Sequence, residues 1–242
     1  MSHNSARIDF KTHVDWKEDH TLLKVHFPTS IHTDSATYEI QYGHLARPTH
    51  RNTSWDEAKF EVCAHKWADL SEYGCGVALM NDCKYGYSVL GGDISLSLLK
   101  SATQPYHNGD MVELDFTYSL FVHNGDFKAA GVIEEATLLN NPVIYKKVRG
   151  NGTLPESYSF ASSSNPAVII DCIKKADKSD AVILRMYESH DSKAKTEIKL
   201  GFDVKKAFAC DTLENELYEI PVTNNTLELN LKNFELVTLK LV

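Results

Sequence analysis

Residues 111–121 read MVELDFTYSLF, eleven positions in which apolar and polar side chains nearly alternate. A helix would scatter Val112, Leu114, Phe116, Tyr118 and Leu120 around its circumference. A strand lines them on one face, because its successive side chains point to opposite sides. Such a strand is half-buried and needs a second layer over its apolar face. The same period recurs along most of the chain. Residues 7–14 (RIDFKTHV) place Ile8, Phe10, Thr12 and Val14 together, and residues 21–27, 36–42, 59–64, 76–80, 86–90 and 94–99 read as further strands. Period-two alternation with polar partners predicts antiparallel sheets.

One segment breaks the pattern. Residues 127–139 (FKAAGVIEEATLL) carry a helical face of Val132, Ala136 and Leu139, with Asp126 as its cap. The internal Gly131 and the β-branched Val132 and Ile133 oppose a long helix, so a short helix running into a strand is expected. Residues 146–165 (KKVRGNGTLPESYSFASSSN) are rich in Gly, Ser, Pro and charge and read as the long connection. Strands resume at 157–160, 168–174, 181–187, 196–200, 207–211, 226–231 and 237–242, spaced as in a Greek-key β-sandwich. The division is drawn at 1–150 and 151–242.

Composition narrows the class. The chain of 242 residues is 43% hydrophobic and 24% charged, which fits a globular protein, with a net charge of -8. That acidity excludes the basic footprint of a nucleic-acid binder. No stretch approaches the ~20 apolar residues that span a bilayer, and MSHNSARIDF lacks the apolar core of a signal peptide. Cys63, Cys75, Cys83, Cys172 and Cys210 are odd in number and form no CxxC, so buried free thiols in a reducing, cytoplasmic compartment are expected. The sequons at Asn52, Asn151 and Asn224 then carry no meaning.

Catalytic signals are weak. Paired-carboxylate acid–base catalysis needs two carboxyl groups facing one cleft, and no pair among Asp56, Glu57, Asp69, Glu72 and Asp82 declares itself. Neither His13 with His20 nor His44 with His50 has metal-ligand spacing. No catalytic residue and no metal ligand is assigned.

Residues 48–60, PTHRNTSWDEAKF, have too few aliphatic side chains for a core. Arg and Asn can donate to sugar hydroxyls and an indole can stack on a pyranose, while a solvated loop with Trp55 packed below it is the plainer reading. Residues 81–86, NDCKYG, open on Asn-Asp and close on Gly, which marks a tight turn.

Together these runs, RPTHRNTSWDEAKFEVCAHKWADLSEYGCGVALMNDCKYGYSV, resemble the C-terminal region of glycoside hydrolase family 38 α-mannosidases, in the branch of cytosolic, vacuolar and many bacterial enzymes. Phe10-Lys-Thr-His-Val-Asp-Trp16, Tyr38-Glu-Ile-Gln-Tyr-Gly43, Phe116-Thr-Tyr118, Ala130-Gly-Val132 and Leu139-Asn-Asn-Pro142 extend the likeness, strongly over residues 7–145.

The resemblance implies an all-β chain, an antiparallel supersandwich of the galactose mutarotase-like kind followed by a smaller β-sandwich. It also implies that zinc and an aspartate nucleophile lie in an N-terminal α/β domain outside this chain. The chain is then a C-terminal, non-catalytic piece with Met1 an incidental start. Its expected partners are its own N-terminal catalytic domain and, in the full-length enzyme, a mannose-containing oligosaccharide. No nucleic acid or membrane is expected, and homo-oligomerisation is left open. The family's β region closes one wall of the active-site cleft, for which the candidates are Arg47, His50, Arg51, Asn81, Asp82, Lys84 and Tyr85, with Lys100 at a looser position. Residues 47–56 are expected as an ordered loop facing the catalytic domain, anchored by Trp55. A free-standing carbohydrate-binding module and a mutarotase-like protein are the alternatives.

Overall fold

The computed structural model describes residues 5–106, 109–147, 150, 152–153 and 155–242. The expected connection over 146–165 and the sequon at Asn151 lie partly outside these residues, as does the start of the chain. The chain divides into two compact units, one ending at Tyr145 and the other beginning at Lys146.

The first unit contains β1 (Arg7–Asp15), β2 (Leu22–Pro28), β3 (Ser35–Ile40), β4 (Gly43–Pro48), α1 (Ser54–Glu57), β5 (Val62–Cys63), β6 (Trp67–Glu72), β7 (Cys75–Asn81), β8 (Gly86–Leu90), β9 (Asp93–Lys100), β10 (Glu113–Asn124) and α2 (Val132–Asn140). They form a six-stranded antiparallel sheet, β1-β10-β7-β6-β3-β4, and a four-stranded one, β2-β9-β8-β5. Alternation dictates the core. Tyr38, Leu70, Val77 and Leu79 from the first sheet pack with Tyr87, Val89, Ile94 and Leu96 from the second, and Phe116 and Tyr118 of β10 join them.

The other face of the six-stranded sheet is covered too. α2 buries Val132, Ile133 and Ala136 and packs on β6 and β7. Phe127 brings its ring to 5.1 Å from that of Trp67. Asp126 caps the turn before the helix, its Oδ1 accepting the Ala129 N–H at 2.8 Å, and α2 itself begins after Gly131, whose φ of +73° is cheap only for glycine. No strand follows α2 among the described residues before β11, contrary to the expected helix-into-strand.

The second unit contains β11 (Ala161–Ser163), β12 (Val168–Lys175), β13 (Val182–Glu188), β14 (Ala194–Leu200), β15 (Ala207–Cys210), β16 (Glu216–Ile220), β17 (Thr226–Leu231) and β18 (Leu236–Leu241). Sheets β11-β14-β17 and β12-β13-β18-β15-β16 enclose Leu184, Met186, Ile198, Leu227, Leu229 and Leu239. The expected strand at 157–160 is absent; the pairing begins at Ala161, opposite Leu200.

Glu188, at the end of β13, has no exposed surface. Its Oε1 accepts the His190 N–H at 2.8 Å and the Ser192 hydroxyl at 2.9 Å, and its Oε2 accepts the Phe234 N–H at 3.0 Å. Burial pushes its pKa up, but the donated hydrogen bonds outweigh that and hold it below the ordinary 4.5. A carboxyl with a depressed folded pKa contributes stability above its unfolded pKa and loses it as pH falls through the folded one. Glu188→Gln should therefore cost this unit about 1.5–3 kcal/mol at neutral pH. The gap to wild type should narrow as pH falls below 4.5, and urea unfolding of both proteins across that range checks it.

All five cysteines are free. Their burial differs from expectation: Cys210 is buried, Cys75 and Cys172 are half-buried, and Cys63 and Cys83 are exposed. Cys63 sits on the short edge strand β5 and Cys83 in the turn after β7, where no layer covers them.

Candidate functional site

The polar run begins on an edge strand. β4 pairs only with β3, which sets Arg47 opposite Ala36. The Arg47 guanidinium lies 5.6 Å above the Tyr38 ring and donates from Nη2 to the Cys63 carbonyl at 3.3 Å. Burial pushes the Tyr38 phenol up to about 12, against the opposing pull of Arg47.

Beyond Pro48 the chain makes one helical turn, α1. Thr53 caps it, with Oγ1 accepting the Asp56 N–H at 3.1 Å and donating to Asp56 Oδ2 at 2.7 Å. The expectation that Trp55 anchors this stretch is corrected: its side chain is 80% exposed. A single surface turn buries none of its residues, and the polar cap rather than the indole holds it. The turn sends the chain back toward β5, so that Lys59 and Glu61 stand near Arg47. The strand expected at 59–64 shrinks to the two residues of β5.

A cleft of about 220 Å³ results, lined by Arg47, His50, Arg51, Asp56, Lys59 and Glu61, with Tyr38 and Ser88 among the others. Three of the sequence-derived candidates therefore meet in one place.

The next three lie around the turn after β7. Asn81 is almost fully buried and its amide is consumed within the chain. Nδ2 donates to the His65 carbonyl at 2.9 Å and to the Tyr87 hydroxyl at 2.5 Å, and Oδ1 accepts the Lys84 N–H at 2.5 Å. Burial raises the Tyr87 phenol well above its usual range, so it is neutral and can pair with the amide. Asp82 is tied to β10, its Oδ2 accepting the Thr117 N–H at 2.9 Å. Tyr85 is exposed, edge-on to His65 at 5.8 Å. Asn81, Asp82 and Tyr85 line a second cleft of about 440 Å³ with His65, Lys66 and Asn140.

Cys63 lines this second cleft while its carbonyl receives Arg47 of the first, so the two adjoin. Lys84 turns its ammonium over the Phe116 ring at 4.3 Å and lines neither. Lys100, opposite Leu22 at the end of β9, borders a separate cleft of about 340 Å³ with His20 and Gln104.

Sequence reasoning passed over Lys59, Glu61, Lys66 and Asn140. Asn140 braces α2 to β7, donating to the Asn81 carbonyl at 3.0 Å and to that of Ala136 at 2.9 Å. Its signal was the Leu139-Asn-Asn-Pro142 motif. Lys66 is held by the buried Glu39, whose Oε2 accepts its N–H at 2.5 Å and whose Oε1 lies 3.0 Å from its ammonium.

Two layered antiparallel sandwiches, with adjoining polar clefts on the first, match a described class. The model of the Glycosyl hydrolases family 38 C-terminal domain matches residues 1–108, and that of the Glycosyl hydrolases family 38 C-terminal beta sandwich domain matches residues 167–239. The chain belongs to this family, as its C-terminal β portion. It is 44% identical over 240 residues to Alpha-mannosidase 2C1 of Homo sapiens, which covers 97% of the chain and 23% of that protein. Alpha-mannosidase G of Dictyostelium discoideum is 44% identical, over 99% of the chain and 22% of its own length. The Alpha-mannosidase of Saccharomyces cerevisiae is 34% identical, over 98% and 24%. The chain thus spans about a quarter of the curated relatives it matches. The crystal structure of an alpha-mannosidase from Enterococcus faecalis V583 shares the fold, with a TM-score of 0.82 at 18% identity over 99% of this chain and 28% of that one.

Proposed function

We propose that this chain is the C-terminal, non-catalytic β portion of a zinc-dependent retaining α-mannosidase that hydrolyses terminal α-mannosides. It completes the substrate cleft and packs on a catalytic domain that lies outside these residues. The observation that carries this reading is the identity of 44% sustained over 97% of the chain but only 23% of an α-mannosidase. The polar edge formed by the first two clefts, with Arg47, His50, Arg51 and Tyr85, is the surface we assign to the mannoside and the catalytic domain. Asn81 and Asp82 support that edge from behind, by the bonds already described. Lys84, next to Tyr85, stands at its margin, while Lys100 borders a separate cleft and is left out of it.

We place the zinc in the remainder of the enzyme. In support, the chain spans only about a quarter of the α-mannosidases it matches, so most of such an enzyme lies outside these residues. We assign the protein to the cytoplasm, in keeping with its five free thiols; no helix among the described residues is long and apolar enough to cross a membrane.

The isolated chain should not turn over an aryl α-mannoside, with or without added zinc, while the family-length enzyme does. Activity of the isolated chain within about a hundredfold of that enzyme would place the catalytic groups here and end the reading.

A further inference from the structure

Arg47 and Arg51 stand in the first cleft, and neither has a carboxylate partner among the described residues. The carboxylates beside them are paired with other groups, although both contacts of Glu61 fall on its Oε1. Asp56 accepts the Thr53 hydroxyl on Oδ2 at 2.7 Å and has the Lys59 ammonium 3.7 Å from Oδ1. Glu61 accepts the Ser97 hydroxyl, and the Lys24 ammonium lies 3.0 Å from the same oxygen. Those contacts hold Glu61 below the usual carboxylate range although burial opposes it, so it is fully ionised yet engaged. In a chain of net charge -8, a cleft with two uncompensated guanidinium groups runs against the overall field.

Arg47 is also held in position. Its backbone is fixed in β4, its guanidinium rests over Tyr38, and one Nη2–H is bound by Cys63. Its Nε is buried and has no hydrogen-bond partner, so part of the cation has lost water without replacement. Tyr38 cannot supply the missing negative charge, being neutral at any ordinary pH. Arg51 is exposed, and its guanidinium has no hydrogen-bond partner among the described residues. A fixed arginine and a free one on the wall of one small cleft suit a planar or tetrahedral oxyanion, which accepts from the guanidinium fork and compensates both charges. A neutral sugar hydroxyl would accept a bond but leave the charges standing.

We propose that the cleft between β4, the α1 turn and β8 is an oxyanion site, taking a carboxylate or phosphate group between Arg47 and Arg51. The proposal rests on the reading above for the position of the cleft and adds the chemistry of what it holds. Two sources supply that chemistry: a free anion, such as an acidic substituent on a sugar, or an Asp or Glu side chain from the rest of a family-length enzyme.

Inorganic phosphate titrated into the 242-residue protein should give saturable chemical-shift changes centred on the Arg47 and Arg51 side chains. Arg51→Gln should weaken binding about tenfold or more, the effect of one charge-assisted hydrogen bond. Arg185→Gln is the control, since Arg185 belongs to the other unit and donates to the Thr212 carbonyl at 2.7 Å. Acetate should compete with phosphate for the same resonances. Absence of saturable shifts at the cleft, or equal affinity in Arg51→Gln, overturns the proposal. In the family-length enzyme, phosphate binding that vanishes, with a lowered Tm in Arg51→Gln, assigns the site to the enzyme's own carboxylate. Binding that persists there assigns it to a free anion. Because phosphate binding by the chain alone requires no turnover, its failure is separable from failure of the mannosidase reading.

Discussion

Gly76→Ala is expected to destabilise the first unit by about 3–5 kcal/mol, as read by urea unfolding. Gly76 lies in β7, opposite Ser71 of β6 on one side and His123 of β10 on the other. A Cβ there would fall well inside van der Waals distance of His123 Cε1 and Ser71 Oγ, and 2.7 Å from His123 Nε2. Neither neighbour can step aside cheaply. His123 Nε2 donates to Asp69 Oδ2 at 2.7 Å, and Ser71 donates its hydroxyl to the other oxygen of the same carboxylate. Asp69 and His123 are both buried, so displacing either leaves a polar group without water or partner. Gly74→Ala is the control. Its φ of +91° strains an alanine, but a Cβ there meets nothing within 4 Å, so its cost should stay near 1 kcal/mol. If the two variants unfold alike, the buried Ser71–Asp69–His123 group gives way to a Cβ at position 76 and does not impose glycine there.

That buried group also shows why part of the fold was hidden in the sequence. β14 announces itself because one of its faces is covered, with burial alternating without a break from Ala194 to Leu200. In β10 burial passes from one face at Phe116 to the other at Ser119, Phe121 and His123, and only its apolar–polar sequence marked it. β6 is covered on both sides, by the four-stranded sheet and by α2, and Trp67, Ala68, Asp69 and Leu70 are all buried. A strand buried on both faces loses the period-two signal, and an aspartate such as Asp69 in its middle argues against burial when read from sequence alone. β4 was missed for the opposite reason. It is an edge strand ending in Arg47-Pro48, where one row of backbone groups is unpaired and proline is tolerated. Arg47, His50 and Arg51 could be read as a set because they are close in sequence and fold into one cleft. Asn140 could not be joined to Asn81 across 59 positions without the packing of α2 on β7. Trp55 misled because an indole usually seeks burial, whereas one turn of capped helix has no buried face to offer.

Asn81→Ala should cost about 3 kcal/mol, more than a substitution at an exposed site-lining residue. Its amide satisfies three groups at once: the His65 carbonyl, the Tyr87 hydroxyl and the Lys84 N–H. Alanine removes the acceptor that shapes the turn and leaves the Lys84 N–H without its partner. The Tyr87 hydroxyl keeps only long contacts, 3.3 Å to the Leu79 carbonyl and 3.4 Å to that of His65. Tyr85→Ala tests the other half of the arrangement. That ring is exposed and touches His65 only edge-on, so its loss should change stability by no more than about 0.5 kcal/mol. In the family-length enzyme the two variants should then separate. Tyr85→Ala should raise KM for an α-mannoside at an unchanged Tm, while Asn81→Ala should lower Tm and activity together. Should Asn81→Ala leave Tm unchanged, the amide does not hold the turn. Should Tyr85→Ala leave KM unchanged, the second cleft faces neither the sugar nor anything that positions it.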